Sequence, residues 1–379
     1  MTDNKEIKFA IFTHVVHGQS DSGYFAYAPY VNEMNIWAKY VSEIIIVAPI
    51  AQTPRTSIES NYVHENVKFK SIKSFNFTTI STTICAIFSI PKIVYTIFKT
   101  MQTADHIHLR CPGNIGLLAC IVQIFFPKKI KTAKYAGNWD PKAKQPLSYK
   151  LQKYILSNTF LTKNMQVLVY GEWNNQSENI KPFFTATYST SEIVDFETKN
   201  LDKTIKFLFV GTLSSGKRPL YCIQLIEKLS KIKPNIVLEI YGDGAEKETL
   251  KKYIKDNSLE KTVILKGNQQ LGVLKQAYIN SHFVILPSKS EGWPKAIAEG
   301  MFWGCLPIAT DVSCISNMLN NENRGLILDL DLKADVEKIN FLIDNQDLYQ
   351  QKVTQALQWS RQYTTDFFEQ EISKLLTNN

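Results

Sequence analysis

The chain has 379 residues, 44% apolar and 21% charged, which fits a soluble globular protein of about two domains and excludes extensive disorder. Basic side chains exceed acidic ones by 43 to 35, and the excess lies in one half: residues 1–195 carry 20 against 13, residues 196–379 carry 23 against 22. The six cysteines (85, 111, 120, 222, 305, 314) form no CxxC pair and lie mostly in apolar contexts, which excludes a disulfide-stapled scaffold.

The opening Met1-Thr2-Asp3-Asn4-Lys5-Glu6 has no apolar signal core, so the expected location is the cytoplasm, where the sequons at Asn76 and Asn175 carry no meaning. Residues 7–12 read as a first strand. Residues 25–40 read as an amphipathic helix, with Tyr27, Val31, Met34, Ala38 and Val41 at heptad-like spacing, and 43–48 as a buried strand closed by Pro49. Residues 75–91 approach membrane length, but five serines and threonines between 78 and 83 and the terminating Pro91-Lys92 favour a buried or surface-lying helix. Strands at 106–109, 130–135 and 166–170 then alternate with helices at 114–125 and 147–156. The polar stretch 189–204 reads as a linker between a first domain, 1–188, and a second, 205–379.

The second half restarts the rhythm. Strands are expected at 207–210, 236–241, 263–265, 283–286, 306–309 and 326–328, with helices at 218–229, 246–254, 271–279 and 295–302 and further helices after 332. Such alternation implies an α/β fold: two doubly wound Rossmann-like domains facing across a cleft, with the last helix able to return to the first domain. Ligands of such sheets bind beyond the carboxyl ends of the strands.

Three strand-end segments carry chemistry. Residues 207–219 (FLFVGTLSSGKRP) lead from a buried strand through Gly211, Ser214, Ser215 and Gly216 to Lys217, Arg218 and the helix-opening Pro219. Free N–H groups at a helix start beside two cations suit an anionic phosphate. Tyr241-Gly242-Asp243-Gly244 is a second glycine-marked turn. Neither it nor the loop 14–23 carries the full GxGxxG fingerprint, which disfavours a nicotinamide oxidoreductase. The third segment is 287–300 (PSKSEGWPKAIAEG), with Glu291 in a loop and Glu299 in the helix opened by Pro294. Carboxylates so placed can accept hydrogen bonds from sugar or ribose hydroxyls while the helix N-terminus between them faces a diphosphate.

The spacing Glu291-x7-Glu299 resembles the signature of retaining glycosyltransferases of the GT-B group known as family 4, the glycosyl transferases group 1. The resemblance extends over residues 207–328. It takes in Gly211-Thr212-Leu213 with Lys217, the turn 241–244, Pro287-Ser288, Gly304-Cys305-Leu306-Pro307-Ile308 and Arg324-Gly325-Leu326-Ile327-Leu328. It implies a GT-B fold, a nucleotide sugar as substrate, and no metal or other cofactor. By resemblance, Lys217 contacts the donor diphosphate, Glu299 the ribose, and Glu291 the sugar hydroxyls near the reacting carbon, making Glu291 and Lys217 the catalytic pair. Gly211, Thr212, Arg218, Gly242, Ser288, Gly292 and Trp293 complete the donor-binding set. Two departures stand out. The family commonly has Arg after the first glycine, where this chain has Thr212, so that either Arg218 compensates or the diphosphate grip differs. It also usually places a His in the first domain, whereas the equivalent loop here, Ala136-Gly137-Asn138-Trp139-Asp140, has none.

The implied activity is transfer of a sugar from a UDP- or GDP-sugar, with retention, to a glycan or lipid-linked acceptor in cell-surface polysaccharide synthesis. The alternatives are a sugar-nucleotide 2-epimerase of the same architecture and a non-catalytic nucleotide-sugar-binding module. Acceptor or cleft candidates in the first half are His14, His17, Gly18 and Arg110, with Asn138 and Asp140 where the family has its histidine. Asp329-Leu330-Asp331 reads as a solvated turn rather than a metal site. Nine lysines between Lys128 and Lys163 face the single acid Asp140, interleaved with Tyr135, Trp139, Tyr149 and Tyr154. That run reads either as a solvated basic face or as a contact for an anionic membrane surface, which would make the chain peripheral on the inner membrane face. No nucleic-acid motif accompanies it.

Overall fold

The structure is a computed structural model that describes residues 6–56, 58–75 and 80–377, with backbone alone at 80–85 and 377. It consists of two compact units, Met1–Phe183 with Phe368–Asn379, and Phe184–Phe367.

The first unit contains β1 (Lys8–Phe12), β2 (Gly18–Ser20), β3 (Gly23–Tyr27), α1 (Ala28–Ala38), β4 (Glu43–Ala48), β5 (Glu59–Asn61), β6 (Val67–Ser71), α2 (Ile80–Thr103), β7 (His106–Cys111), α3 (Asn114–Val122), β8 (Ile130–Tyr135), α4 (Leu147–Ser157), β9 (Met165–Tyr170) and β10 (Ile180–Phe183). Seven strands form a parallel sheet in the order β10-β9-β8-β7-β1-β4-β6. β4 (EIIIVA) is buried at every position, as a strand covered on both faces must be. One core joins Phe12, Val47, Leu109, Tyr135 and Val169 of the sheet to Ile93 and Ile97 of α2, Ile115 and Ala119 of α3, and Leu156 of α4.

Three local readings need correction. The helix expected at 25–40 begins only at Ala28, because Pro29 opens it and Phe25 is taken into the antiparallel set β2-β3-β5. β6 (VKFKS) and β10 (IKPF) are edge strands whose lysines and proline hide their strand character. Pro91 does not end a helix but lies inside the 24-residue α2. Residues 76–79 of the apolar run, including the sequon at Asn76, lie outside the described residues. No described helix is long and apolar enough to cross a membrane.

The opposite face of the first sheet is aromatic and polar. Phe9 stacks on Trp37 of α1, and Thr132 Oγ1 bridges His106 Nε2 (2.9 Å) and His108 Nδ1 (2.8 Å). Beside them lies an enclosed ionic group: Glu33 Oε1 takes Arg110 Nη1 at 2.5 Å, and Glu33 Oε2 lies 3.3 Å from Lys134 Nζ. Burial works against the Glu33 carboxylate, but the Arg110 and Lys134 charges outweigh it and its pKa falls below the usual range. Burial also pulls the Lys134 ammonium down to about 8.

The second unit contains β11 (Ile205–Val210), α5 (Pro219–Ser230), β12 (Ile236–Tyr241), α6 (Lys247–Asp256), β13 (Val263–Gly267), α7 (Leu271–Asn280), β14 (Phe283–Leu286), α8 (Lys295–Phe302), β15 (Leu306–Thr310), α9 (Ile315–Leu319), β16 (Leu326–Leu328), α10 (Leu332–Ile343) and α11 (Gln346–Ser360). Its six parallel strands run β13-β12-β11-β14-β15-β16. The stretch 189–204 is not a free tether, because its polar atoms are bonded within this unit. Ser189 and Glu192 form a capping box, and Lys199 Nζ donates to the carbonyls of Ser281 and Gly304 (3.2 Å). The final helix, α12 (Thr365–Thr377), returns the chain to the first unit from Phe368 onward. There Phe368 packs on Phe183 and lies 4.9 Å from Lys134 Nζ, while Glu369 accepts from Lys39 Nζ (2.6 Å) and Tyr40 OH (3.0 Å).

Burial holds three histidines neutral, His17 at about 4, His106 at about 3 and His282 at about 4, against an ordinary value of 6.5. The unfolded chain therefore binds more protons in that interval. The stability these rings contribute is full above about pH 6.5 and is lost as the pH falls towards 4. Each ring is expected to cost about 2 kcal/mol between pH 7 and pH 5. Urea unfolding followed by circular dichroism should show a falling midpoint over that range, with a shallower fall in His106→Gln. A midpoint that does not move between pH 7 and pH 5 would reject neutral burial.

Candidate functional site

In the second sheet β11 lies between β12 and β14. The chain winds one way from β11 to β13 and the other way from β14 to β16. At this reversal the loops after β11 and β14 leave side by side, with no crossover helix over them. Every donor-side candidate from the sequence lies on these two loops, on α8, or on the glycine turn after β12.

The glycine turn is packed too tightly for any side chain. Gly242 has φ +145°, and a Cβ there would stand 1.9 Å from the carbonyl oxygen of Gly211. Gly211 N in turn donates to Tyr241 O at 3.0 Å. Arg218 holds a left-handed conformation (φ +49°) before Pro219 opens α5, and its Nη1 donates to Pro287 O at 3.0 Å. Lys289 N donates to Gly216 O at 2.8 Å, so main chain and guanidinium both tie the β11 loop to the β14 loop. In this arrangement Arg218 is a brace between the loops. Thr212 is exposed.

Lys217 Nζ meets Glu291 Oε1 at 2.5 Å. The carboxylate is buried, whereas the lysine side chain keeps 28% of its surface open. An anion can therefore reach the ammonium from solvent. Ser288 is fully buried; its carbonyl accepts from Thr310 Oγ1 at 2.5 Å, and its Oγ has no partner among the described residues. Gly292 O accepts from Ser313 Oγ at 2.8 Å, which fixes the loop just before α8. The Trp293 ring lies 6.4 Å from Trp359 and 5.8 Å from Tyr363.

Glu299, also buried, is held differently. Thr187 Oγ1 donates to Oε1 at 2.7 Å, Tyr278 OH to Oε2 at 3.0 Å, and Lys295 Nζ lies 3.6 Å from Oε1. Sequence reasoning missed Thr187 and Tyr278. Neither belongs to a motif, and Thr187 lies 112 positions from the carboxylate it serves. Asp329 pairs with Lys338 at 2.8 Å, and Asp331 caps α10 by accepting from the N–H groups of Lys333 and Ala334.

The first-unit candidates divide. His14 is exposed on the loop after β1 and lies against Gly113 on the loop after β7, where a Cβ would stand 2.6 Å from its Nδ1. Those loops flank that sheet's own reversal point. His17 is not a cleft residue: it is buried, stacked on Tyr62, with Nε2 at 3.0 Å from the Tyr62 hydroxyl. Gly18 is buried too, because the Phe25 ring occupies the space a side chain would need. Arg110 is committed to Glu33. Asn138 Oδ1 accepts from Asp140 N (2.9 Å) and Asp140 Oδ1 from Lys142 N (2.8 Å), so both side chains shape their loop. Within the lysine run, Lys131 and Lys134 are buried, and Lys129 and Lys153 donate to main-chain carbonyls.

Residues 191–359 match the family model described as Glycosyl transferases group 1. A relative from Haemophilus influenzae described as an uncharacterized glycosyltransferase is 30% identical over 166 residues, 43% of this chain and 45% of the relative. The Escherichia coli UDP-Gal:alpha-D-GlcNAc-diphosphoundecaprenol alpha-1,3-galactosyltransferase is 32% identical over 129 residues, 33% of this chain and 32% of that enzyme. The chain thus spans less than half the length of each. Among solved structures, Anabaena HepE in complex with UDP superposes with a TM-score of 0.69 at 14% identity, covering 99% of this chain and 100% of that one. That likeness shows the fold, which is of the GT-B type with two Rossmann-like units.

Gly242→Ala should lower stability by about 3 kcal/mol, since the new methyl group must displace the Gly211 main chain at a positive φ. The urea midpoint of the variant measures this. An unchanged midpoint would mean that the two turns do not pack this closely.

Proposed function

We infer that this chain, whose residues 191–359 form a glycosyl transferases group 1 segment, is a glycosyltransferase. It moves a sugar from a nucleotide-sugar donor, UDP- or GDP-linked, to a glycan or lipid-linked acceptor with retention at the anomeric carbon. The observation that carries this reading is the Lys217–Glu291 pair at the reversal point of the second sheet, beside the start of α8. One accessible cation beside one buried carboxylate at that point supports a site for a sugar diphosphate.

Each group then has a role. Lys217 and the N-termini of α5 and α8 stabilise negative charge that grows on the departing diphosphate. Glu291, once Lys217 turns to the phosphate, accepts hydrogen bonds from sugar hydroxyls near the reacting carbon. Glu299, oriented by Thr187 and Tyr278, accepts from the ribose hydroxyls. Ser288 Oγ, buried and without a partner among the described residues, is available to a donor oxygen. We assign leaving-group stabilisation to these groups rather than to a metal, because Asp329 and Asp331 are engaged by Lys338 and the α10 cap. The named donor and lipid diphosphate acceptor of the Escherichia coli relative support a similar pairing here, on the cytoplasmic side of cell-surface polysaccharide synthesis.

Glu291→Ala should lower transfer by about 10²–10³-fold while nucleotide affinity stays close to that of the wild type. The measurements are product formation and calorimetric binding across UDP-, GDP- and ADP-sugars. A variant that keeps its rate removes Glu291 from the chemistry. Wild-type protein that converts donor alone into an isomerised sugar nucleotide would make the chain an epimerase instead.

A further inference from the structure

Helices α2, α3 and α4 form one layer on one face of the first sheet, α2 against α3 and α3 against α4. On the outer side of α2, Phe88, Lys92, Tyr95 and Lys99 recur at spacings of four, three and four, a single helical stripe, and all four are exposed. On α4, Leu147, Lys150, Leu151 and Tyr154 form a second exposed stripe. Phe125 after α3 and Phe160 after α4 are 71% and 76% exposed, Phe88 80% and Leu147 82%.

Single exposed apolar side chains are ordinary. Here, however, they repeat in register with cations, and acids are missing. Among residues 86–163 there are seven exposed lysines, but the acids are only Asp105 and Asp140, and none lies on α2, α3 or α4. A solvated helix of this chain looks different: on α6, Lys251 pairs with Glu248 and Lys252 with Asp256. The lysine run of the sequence is thus not one surface. Lys131 and Lys134 turn inward, and the outward cations extend to Lys92 and Lys99 on α2, beyond the run.

We propose that the outer face of α2, α3 and α4 docks on an anionic lipid bilayer. Its aromatic and leucine side chains enter the headgroup region, and its lysines meet the lipid phosphates. Charge selects this occupant. A second copy of the same face would set lysine against lysine, and a nucleic acid backbone offers nothing to Leu147 or Phe88.

The test is flotation of the full-length chain with vesicles of phosphatidylcholine containing 30% phosphatidylglycerol, against pure phosphatidylcholine. The chain is expected to float with the anionic vesicles only and to be released by high salt. Lys92→Gln with Lys150→Gln should weaken partition roughly 25-fold, about fivefold per lysine. Phe88→Ser with Tyr154→Ser should weaken it at least about tenfold with an unchanged thermal midpoint. Lys251→Gln with Lys252→Gln on α6 should leave it unaltered. The proposal is overturned if the chain does not bind anionic vesicles, if both α2/α4 pairs leave binding intact, or if light scattering shows a dimer that the same substitutions dissociate. Equal loss from the α6 pair, or binding to a DNA duplex without binding to vesicles, also overturns it.

Discussion

The lateral pairing of β11 with β14 is the constraint on which the candidate site depends. Phe207 lies beside Phe283 and Leu208 beside Val284, and the two phenylalanine rings stack at 4.7 Å. This register joins segments that are distant in sequence and aims both loops at the same edge of the sheet. The bonds from Lys289 to Gly216 and from Arg218 to Pro287, and the Lys217–Glu291 contact, all lie downstream of it. A slip of one residue would turn every side chain on β14 to the other face and carry Glu291 away from Lys217.

Two of the buried carboxylates that meet cations, Glu33 and Glu291, show how enclosure separates scaffold from chemistry. Glu33 is shut in with Arg110 and Lys134, all three deeply buried, so loss of Glu33 leaves two cations without compensation in a low-dielectric interior. Glu291 is as well buried, but its partner reaches solvent. The first arrangement is fixed by the fold, whereas in the second the lysine can exchange its partner for a ligand.

Much of the second unit was legible in the sequence, because its strands are uninterrupted apolar runs and its motifs are contiguous segments at strand ends. Glu291, Glu299, Lys217 and the glycine turn could be named for that reason. Thr187 and Tyr278 could not, since a hydroxyl far along the chain gives no local sign of the carboxylate it will meet. In the first unit the antiparallel set β2-β3-β5 was invisible: two of its strands have three residues each, too few to show a period. His17 was misread because a histidine beside a strand end looks alike whether it lines a cleft or packs under a tyrosine. The lysine run misled in a related way. Clustering in sequence says nothing of which face of a strand or helix each residue occupies, and β8 sends Lys131 and Lys134 to opposite sides, both inward.

The first unit is discontinuous: its sheet is complete by Phe183, yet Phe368 and Glu369 belong to it. Until those residues leave the ribosome, the side of Lys134 that faces Phe368 lacks its cover, and Lys39 and Tyr40 lack their carboxylate. The whole second unit is translated in between. The nascent first unit must therefore wait, incompletely closed, through the synthesis of 184 residues (Phe184–Phe367) before its last helix arrives. Vectorial synthesis thus makes α12 the late closure of a unit whose sheet was made long before it.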